Sequence, residues 1–163
     1  MSAETLAVQR AEVIRDFIGV EALVDCLISI HYLDRLSLAF YHEVLYDEYF
    51  SFGLKVRILS KMLSEEGKEA NDQIQVLRRL NNIRNLFAHC GVTRYKSKTD
   101  ESYVPNPRDP EKALDFNALH AEFTAALPTV RCYLLAKAVE KGADIKVNKD
   151  GTWEQVLPLK GNQ

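Results

Sequence analysis

The sequence predicts an all-α fold, a helical bundle of about five antiparallel helices closed by a short C-terminal β-hairpin. Apolar residues recur at three- and four-residue spacing over most of the chain. Most of the 7 glycines and 5 prolines lie after Cys90, so the first ninety residues are nearly free of helix breakers. A length of 163 residues fits one domain with a real core, taken as residues 1–163: a bundle over 4–141 and a tail over 143–163.

Residues 4–34 are expected as the first helix. Ser2 is its available cap, and Leu6, Val13, Ile14, Phe17, Leu23, Val24, Leu27, Ile28 and Ile30 recur at helical spacing. Gly19 is the place where this helix would bend or divide. Residues 35–49 read as a second amphipathic helix through Leu36, Leu38, Phe40, Val44 and Leu45, with a break over residues 50–53. A third helix follows over 53–64, ended by Glu65-Glu66-Gly67. The fourth runs over 69–90, with Gly91 placed as its C-terminal cap. Residues 92–111 are polar and rich in proline, and read as a loop. The fifth helix is expected over 115–141, kinked at Pro128 and stopped by Gly142. In the tail, Ile145 and Val147 precede an Asn148-Lys149-Asp150-Gly151 turn, with Trp153 and Val156 beyond it, the pattern of a hairpin.

Composition narrows the functional classes. A net charge of -2 argues against a protein held on duplex DNA by bulk charge, so any nucleic-acid contact has to be a local patch. Cys26, Cys90 and Cys132 have no paired spacing and suggest neither a disulfide framework nor a zinc site. Cys26 and Cys132 lie in apolar helical runs, where a free thiol behaves as a small hydrophobe. No metal and no cofactor is expected. The N-terminus is charged throughout and lacks an apolar signal core, and no apolar run is long enough for a bilayer. No membrane contact and a cytoplasmic setting are the expectation.

The chemistry concentrates in Arg84-Asn85-Leu86-Phe87-Ala88-His89. On a helical wheel at about 100° per residue, Val76, Leu80, Ile83 and Phe87 form the core stripe, with Arg78, Asn82, Asn85 and His89 opposite. Asn85 and His89 are four apart and stack on one face, whereas Arg84 and His89 are about 140° apart. The two converge only if the long arginine reaches around, or if a two-fold axis pools two copies of the helix. Leu86, apolar but off the stripe, suits such an interface. Histidine both takes and gives a proton near neutral pH. Arginine offers a fixed, permanently charged fork for a phosphate. Asparagine can orient a phosphate or a ribose hydroxyl. No carboxylate cluster lies near this segment, so a metal-dependent reaction is not suggested.

Arginine and histidine at this spacing are common by chance; the added asparagine, alanine and helix end make the pattern rarer. Arg35 and His42 are a decoy, with the wrong spacing and no cap. Beyond the helix, Arg94-Tyr95-Lys96 can be an RNA-gripping loop, with charge for phosphates and Tyr95 for stacking, or simply a solvated loop. His31, His42 and His120 read as structural histidines, and Tyr41, Tyr46 and Tyr49 as core or dimer-surface aromatics.

The segment Ile83-Arg84-Asn85-Leu86-Phe87-Ala88-His89 resembles the signature of HEPN domains: arginine, a polar residue, three more, then histidine. The order of elements is also similar over about residues 5–140, including a helix entered through Phe50-Ser51-Phe52-Gly53. The resemblance implies an all-α bundle that forms a homodimer through the motif helix. It implies a metal-independent ribonuclease, of toxin or phage-defence type, with RNA as substrate and an antitoxin or regulatory protein as a further partner. By position, Arg84 matches the motif arginine, Asn85 the polar residue and His89 the histidine; Arg78, Asn82, Arg94, Tyr95 and Lys96 are the candidate RNA contacts. Some toxin members carry a tyrosine two residues after the histidine, where this chain has Gly91. Similar segments occur in helical proteins resembling the mannitol operon repressor, which implies the alternative of a non-catalytic regulator or adaptor.

Overall fold

In the computed structural model, the described residues are 3–33, 37–64, 67–89, 95–96, 102–103, 105–106, 109–147 and 153–155. They are mostly helical. Helix α1 spans Ala3–Leu33, α2 Leu38–Phe40, α3 Phe52–Met62, α4 Lys68–His89 and α5 Phe116–Glu140, and a π-helical turn, Tyr41–Leu45, continues α2. Among these residues no helix is long and apolar enough to cross a membrane.

Local chemistry explains most of the boundaries. Ser51 caps α3: its backbone is extended (φ -59, ψ 153) and its hydroxyl accepts from the Leu54 amide. The Asp115 carboxylate does the same for α5, accepting from the Ala118 amide at 3.0 Å. Gly67 and Gly142 take positive φ, 88° and 90°, at the start of α4 and just past α5. That conformation suits glycine and stops α5 where expected. Helix α1 continues through Gly19, and α5 continues through Pro128, whose missing N–H leaves one carbonyl of the preceding turn without its helical donor.

The second helix differs from expectation. Instead of a helix over 35–49 there is one short turn of α-helix and the π-helical turn, closed by the Tyr46 amide donating to the Tyr41 carbonyl five residues back, at 2.9 Å. The Asp47 carboxylate then accepts from the Tyr49 amide at 2.8 Å, a local bond that competes with helix continuation. The connection over 92–111 also departs from a plain loop. Strand β1 (Tyr95–Lys96) pairs antiparallel with β2 (Ser102–Tyr103), and β3 (Pro105–Asn106) with β4 (Asp109–Ala113). In the tail, β5 (Ile145–Val147) pairs antiparallel with β6 (Trp153–Gln155), Val147 opposite Trp153. The expected turn over 148–151 lies outside the described residues, as do Cys90 and the expected cap Gly91.

The chain divides into two compact units. One comprises residues 1–18 and 79–128, the other residues 19–78 and 129–163. Helices α1, α4 and α5 each contribute a stretch to both.

The first unit buries Val13 and Phe17 from α1, Leu80, Ile83 and Phe87 from α4, and Phe116, Phe123 and Leu127 from α5. Its contacts set the helix directions. Arg10 meets Ala88 and Phe17 meets Arg84, so positions rise along α1 as they fall along α4, and these stretches are antiparallel. Gln9 bonds Asn117 and Glu12 meets His120, so α1 and α5 run parallel here. Phe87 packs edge-on against Phe116, and Arg79 forms a two-point bond to Glu122, so α4 and α5 are antiparallel.

In the second unit, every residue of α1 from Leu23 to Ile30 is buried, which takes in two polar residues, Asp25 and Ser29. Phe52, Val56, Leu59, Ile74, Leu77 and Leu134 add to that core. Lys55 is 1% exposed; its Nζ lies 2.9 Å from Glu21 Oε1 and 3.0 Å from both carboxylate oxygens of Asp25. Burial, partly offset by Lys55, pushes the Asp25 carboxyl up to about 6. Burial also raises the Tyr41 hydroxyl.

The single core stripe expected for α4 is corrected. Leu80, Ile83 and Phe87 are buried, but Val76 is half-buried, and the buried positions before Leu80 are Ala70, Ile74 and Leu77. The buried positions follow one another at spacings of three and four, so the stripe drifts around the helix. The helix serves two cores, one in each unit. Cys26 is buried, as suits a thiol in an apolar helical run, but Cys132 is exposed.

Candidate functional site

The hexapeptide forms the last turn and a half of α4, in the first unit. Its apolar members anchor it. Ile83 and Phe87 are buried, and the Phe87 ring sits 5.0 Å from that of Phe116 and 6.4 Å from that of His120. The polar members are left with different freedom: Arg84 and Asn85 are half-buried, whereas His89, the last residue of the helix, is exposed.

Arg84 points toward α1. Its Cζ lies 5.5 Å from the centre of the Phe17 ring, an aromatic only 1% exposed. A guanidinium over an aromatic face is attracted by the ring quadrupole. Its Nη1 donates to Asn85 Oδ1 at 2.9 Å, so the head of the side chain leans toward the Asn85 side of the helix. Asn85 and His89 are four residues apart and share that side. The arginine is held by its neighbour Asn85 and by Phe17.

The end of the helix is held by a residue that the sequence did not single out. Arg10 Nη2 donates to the Ala88 carbonyl at 2.9 Å. The last carbonyls of a helix have no partner within it, and a cation there also meets the negative end of the helix dipole. A second long-range pair joins α1 to α5: His120 Nε2 and Glu12 Oε2 are 3.0 Å apart. His120 is thus a partnered structural histidine, as expected. His31 and His42 are exposed and stack edge-on with Tyr32 and Tyr46.

The remaining candidates are placed less closely. Asn82 is exposed on α4 in the same unit; Arg78 is exposed but belongs to the other unit. Arg94 lies outside the described residues. Tyr95 and Lys96 form β1, opposite Tyr103 and Ser102. Leu86 is half-buried, and Tyr46 and Tyr49 are exposed in the second unit. Among the described residues, no three His, Cys, Asp or Glu side chains gather as a metal cage.

The arrangement offers one exposed imidazole, one amide and two guanidinium groups anchored at a helix end. The signals that could have revealed Arg10 and Phe17 are weak. They are seven apart, hence on one face of α1, but a lone arginine on an amphipathic helix reads as solvent-facing until its partner, 78 positions away, is known. No protein-family model, curated protein or solved structure matches the chain.

Proposed function

We propose that the protein is a metal-independent endoribonuclease, of toxin or phage-defence type, with a HEPN-like bundle that forms a homodimer through α4. The observation that carries this reading is the drawing of Arg84 to Asn85, on the side of the helix that ends in the exposed His89. In the reaction, the ribose 2′-hydroxyl attacks the adjacent phosphorus and the 5′-oxygen of the next nucleotide leaves. The products are a 2′,3′-cyclic phosphate and a 5′-hydroxyl. His89 takes the 2′-proton or returns one to the leaving oxygen. Arg84 stabilises the charge that grows on the phosphate, and Asn85 orients it. Two copies of the site in one dimer would supply base and acid together. Arg78, Asn82, Arg94, Tyr95 and Lys96 would contact the strand on either side, and an antitoxin or regulatory protein would restrain the activity in the cytoplasm.

A second reading has its own observation. Arg84 is already engaged by Phe17 and Asn85 within one chain, which suits a non-catalytic regulator or adaptor that uses α4 for association or ligand sensing. Cleavage of a mixed RNA pool in excess chelator separates the two. The nuclease reading requires that the wild type leaves cyclic phosphate ends and that His89→Ala, still folded and of the same oligomeric state, does not. A wild type that cuts nothing under these conditions leaves the adaptor.

A further inference from the structure

The contacts between α1 and α4 in the first unit form a two-point seam. Arg10 and Phe17 are seven residues apart, so they lie within about 20° of each other on α1. Ala88 and Arg84 are four apart, within about 40° on α4. One stripe of α1 thus holds one stripe of α4 at both ends of the hexapeptide: Phe17 under the guanidinium of Arg84, and Arg10 on the carbonyl of Ala88. The Ala88 carbonyl belongs to the peptide unit that joins Ala88 to His89. A terminal helical turn frays readily, because its carbonyls lack partners within the helix. His89 is exposed and is the last residue of α4, so the backbone that carries its imidazole depends on what holds that turn.

We infer that Arg10 is a positioning residue for His89: by bonding the Ala88 carbonyl it fixes the terminal turn of α4 and thereby the direction in which the imidazole is presented to the scissile phosphodiester. The part concerning the phosphodiester rests on the nuclease reading; the part concerning the imidazole does not. Arg10 uses one N–H for the carbonyl. A side chain of similar reach that keeps an N–H donor, as lysine does, therefore serves, and one of similar reach with none, as methionine, does not.

The test compares wild type, Arg10→Lys and Arg10→Met in two measurements, each made well below the thermal midpoint found by circular dichroism. The first is single-site RNA cleavage, giving kcat and KM. A reacting group displaced by about 1 Å loses up to about a hundredfold in rate, so Arg10→Met is expected to lose about ten- to a hundredfold in kcat with KM within about twofold. Arg10→Lys is expected to recover most of that loss. The second is the ring Cε1–H signal of His89 in histidine-labelled protein, assigned by its disappearance in His89→Ala. Arg10→Met is expected to move it toward the position of an unstructured histidine, and Arg10→Lys to leave it in place.

If the wild type cuts RNA but Arg10→Met keeps kcat, or loses only KM, the inference is overturned and the nuclease reading survives. If the wild type cuts nothing, the nuclease reading falls and the ring signal decides alone. A signal moved by Arg10→Met and restored by Arg10→Lys upholds the positioning role; an unmoved signal ends it, leaving Arg10 as a cap on a carbonyl.

Discussion

Lys55→Met tests the buried charge cluster of the second unit. In the native protein Lys55 is 1% exposed, Asp25 0%, and Nζ sits 3.0 Å from the carboxylate of Asp25. At that separation the attraction is about 5 kcal/mol with an effective dielectric constant near 20. Desolvation of both groups cancels much of it, but removing one partner strands the other, at about 3–5 kcal/mol. Glu21, with 27% of its side chain exposed, can return to water; Asp25 cannot. The loss must therefore depend on pH. The folded pKa of Asp25 is raised, from 3.8 to about 6. Its stabilising contribution is complete below the unfolded value and is lost as pH rises through the folded one. Each unit between them is worth about 1.36 kcal/mol, so wild-type stability should fall by about 3 kcal/mol across that window. Without Lys55 the carboxyl rises further, since burial acts unopposed. Urea unfolding at pH 8 should show a loss of about 3–5 kcal/mol for Lys55→Met, and at pH 5 a loss smaller by about 2 kcal/mol, because Asp25 is then neutral in both proteins. Adding Asp25→Leu should recover much of the loss at pH 8. An equal loss at both pH values, or one under about 1 kcal/mol, would refute the reasoning.

Phe87→Ala, which empties a position between Phe116 and the core of the first unit, should cost about 3–5 kcal/mol in the same urea assay. Ser51→Ala should cost about 0.5–2 kcal/mol through loss of the cap on α3, with no change in the slope against urea. Arg79→Ala removes an exposed two-point pair and should cost under about 1 kcal/mol, less in high salt. The bond from Arg79 holds Glu122 below the usual carboxylate range, so this small contribution should be present above the ordinary pKa and fade as pH falls through the lowered folded one. Asn85→Ala frees the Arg84 head; if the protein cleaves RNA, kcat should fall about tenfold or more while the urea midpoint stays near that of wild type.

Helix existence was legible because period and breakers agree: α1, α3, α4 and α5 lie within a residue or two of the spacing that announced them, and Gly142 ends α5 with the positive φ that glycine permits. The segment after Leu38 was not. Its apolar spacing fits a helix, but Asp47 and the π-helical turn are decided by local hydrogen bonds that periodicity does not register. The wheel for α4 misplaced Val76 for a related reason. A wheel assumes a fixed stripe, whereas successive three-residue steps, Ile74, Leu77, Leu80 and Ile83, carry the buried stripe of this helix around its axis. At the candidate site, Arg84, Asn85 and His89 could be named from spacing alone, and the bond between Arg84 and Asn85 joins two of them. The contacts of Arg10 with Ala88, of Phe17 with Arg84 and of Glu12 with His120 could not be foreseen, because each depends on a partner far along the chain.

The discontinuous make-up of the first unit has a consequence for synthesis. Its α1 segment leaves the ribosome first, yet the residues that hold it, Arg84, Ala88, Asn117 and His120, come after the whole of residues 19–78. Closing so long a loop is entropically costly before the contacts that reward it exist. The first eighteen residues must therefore wait, with Val13 and Phe17 unsheltered, while much of the second unit is already made.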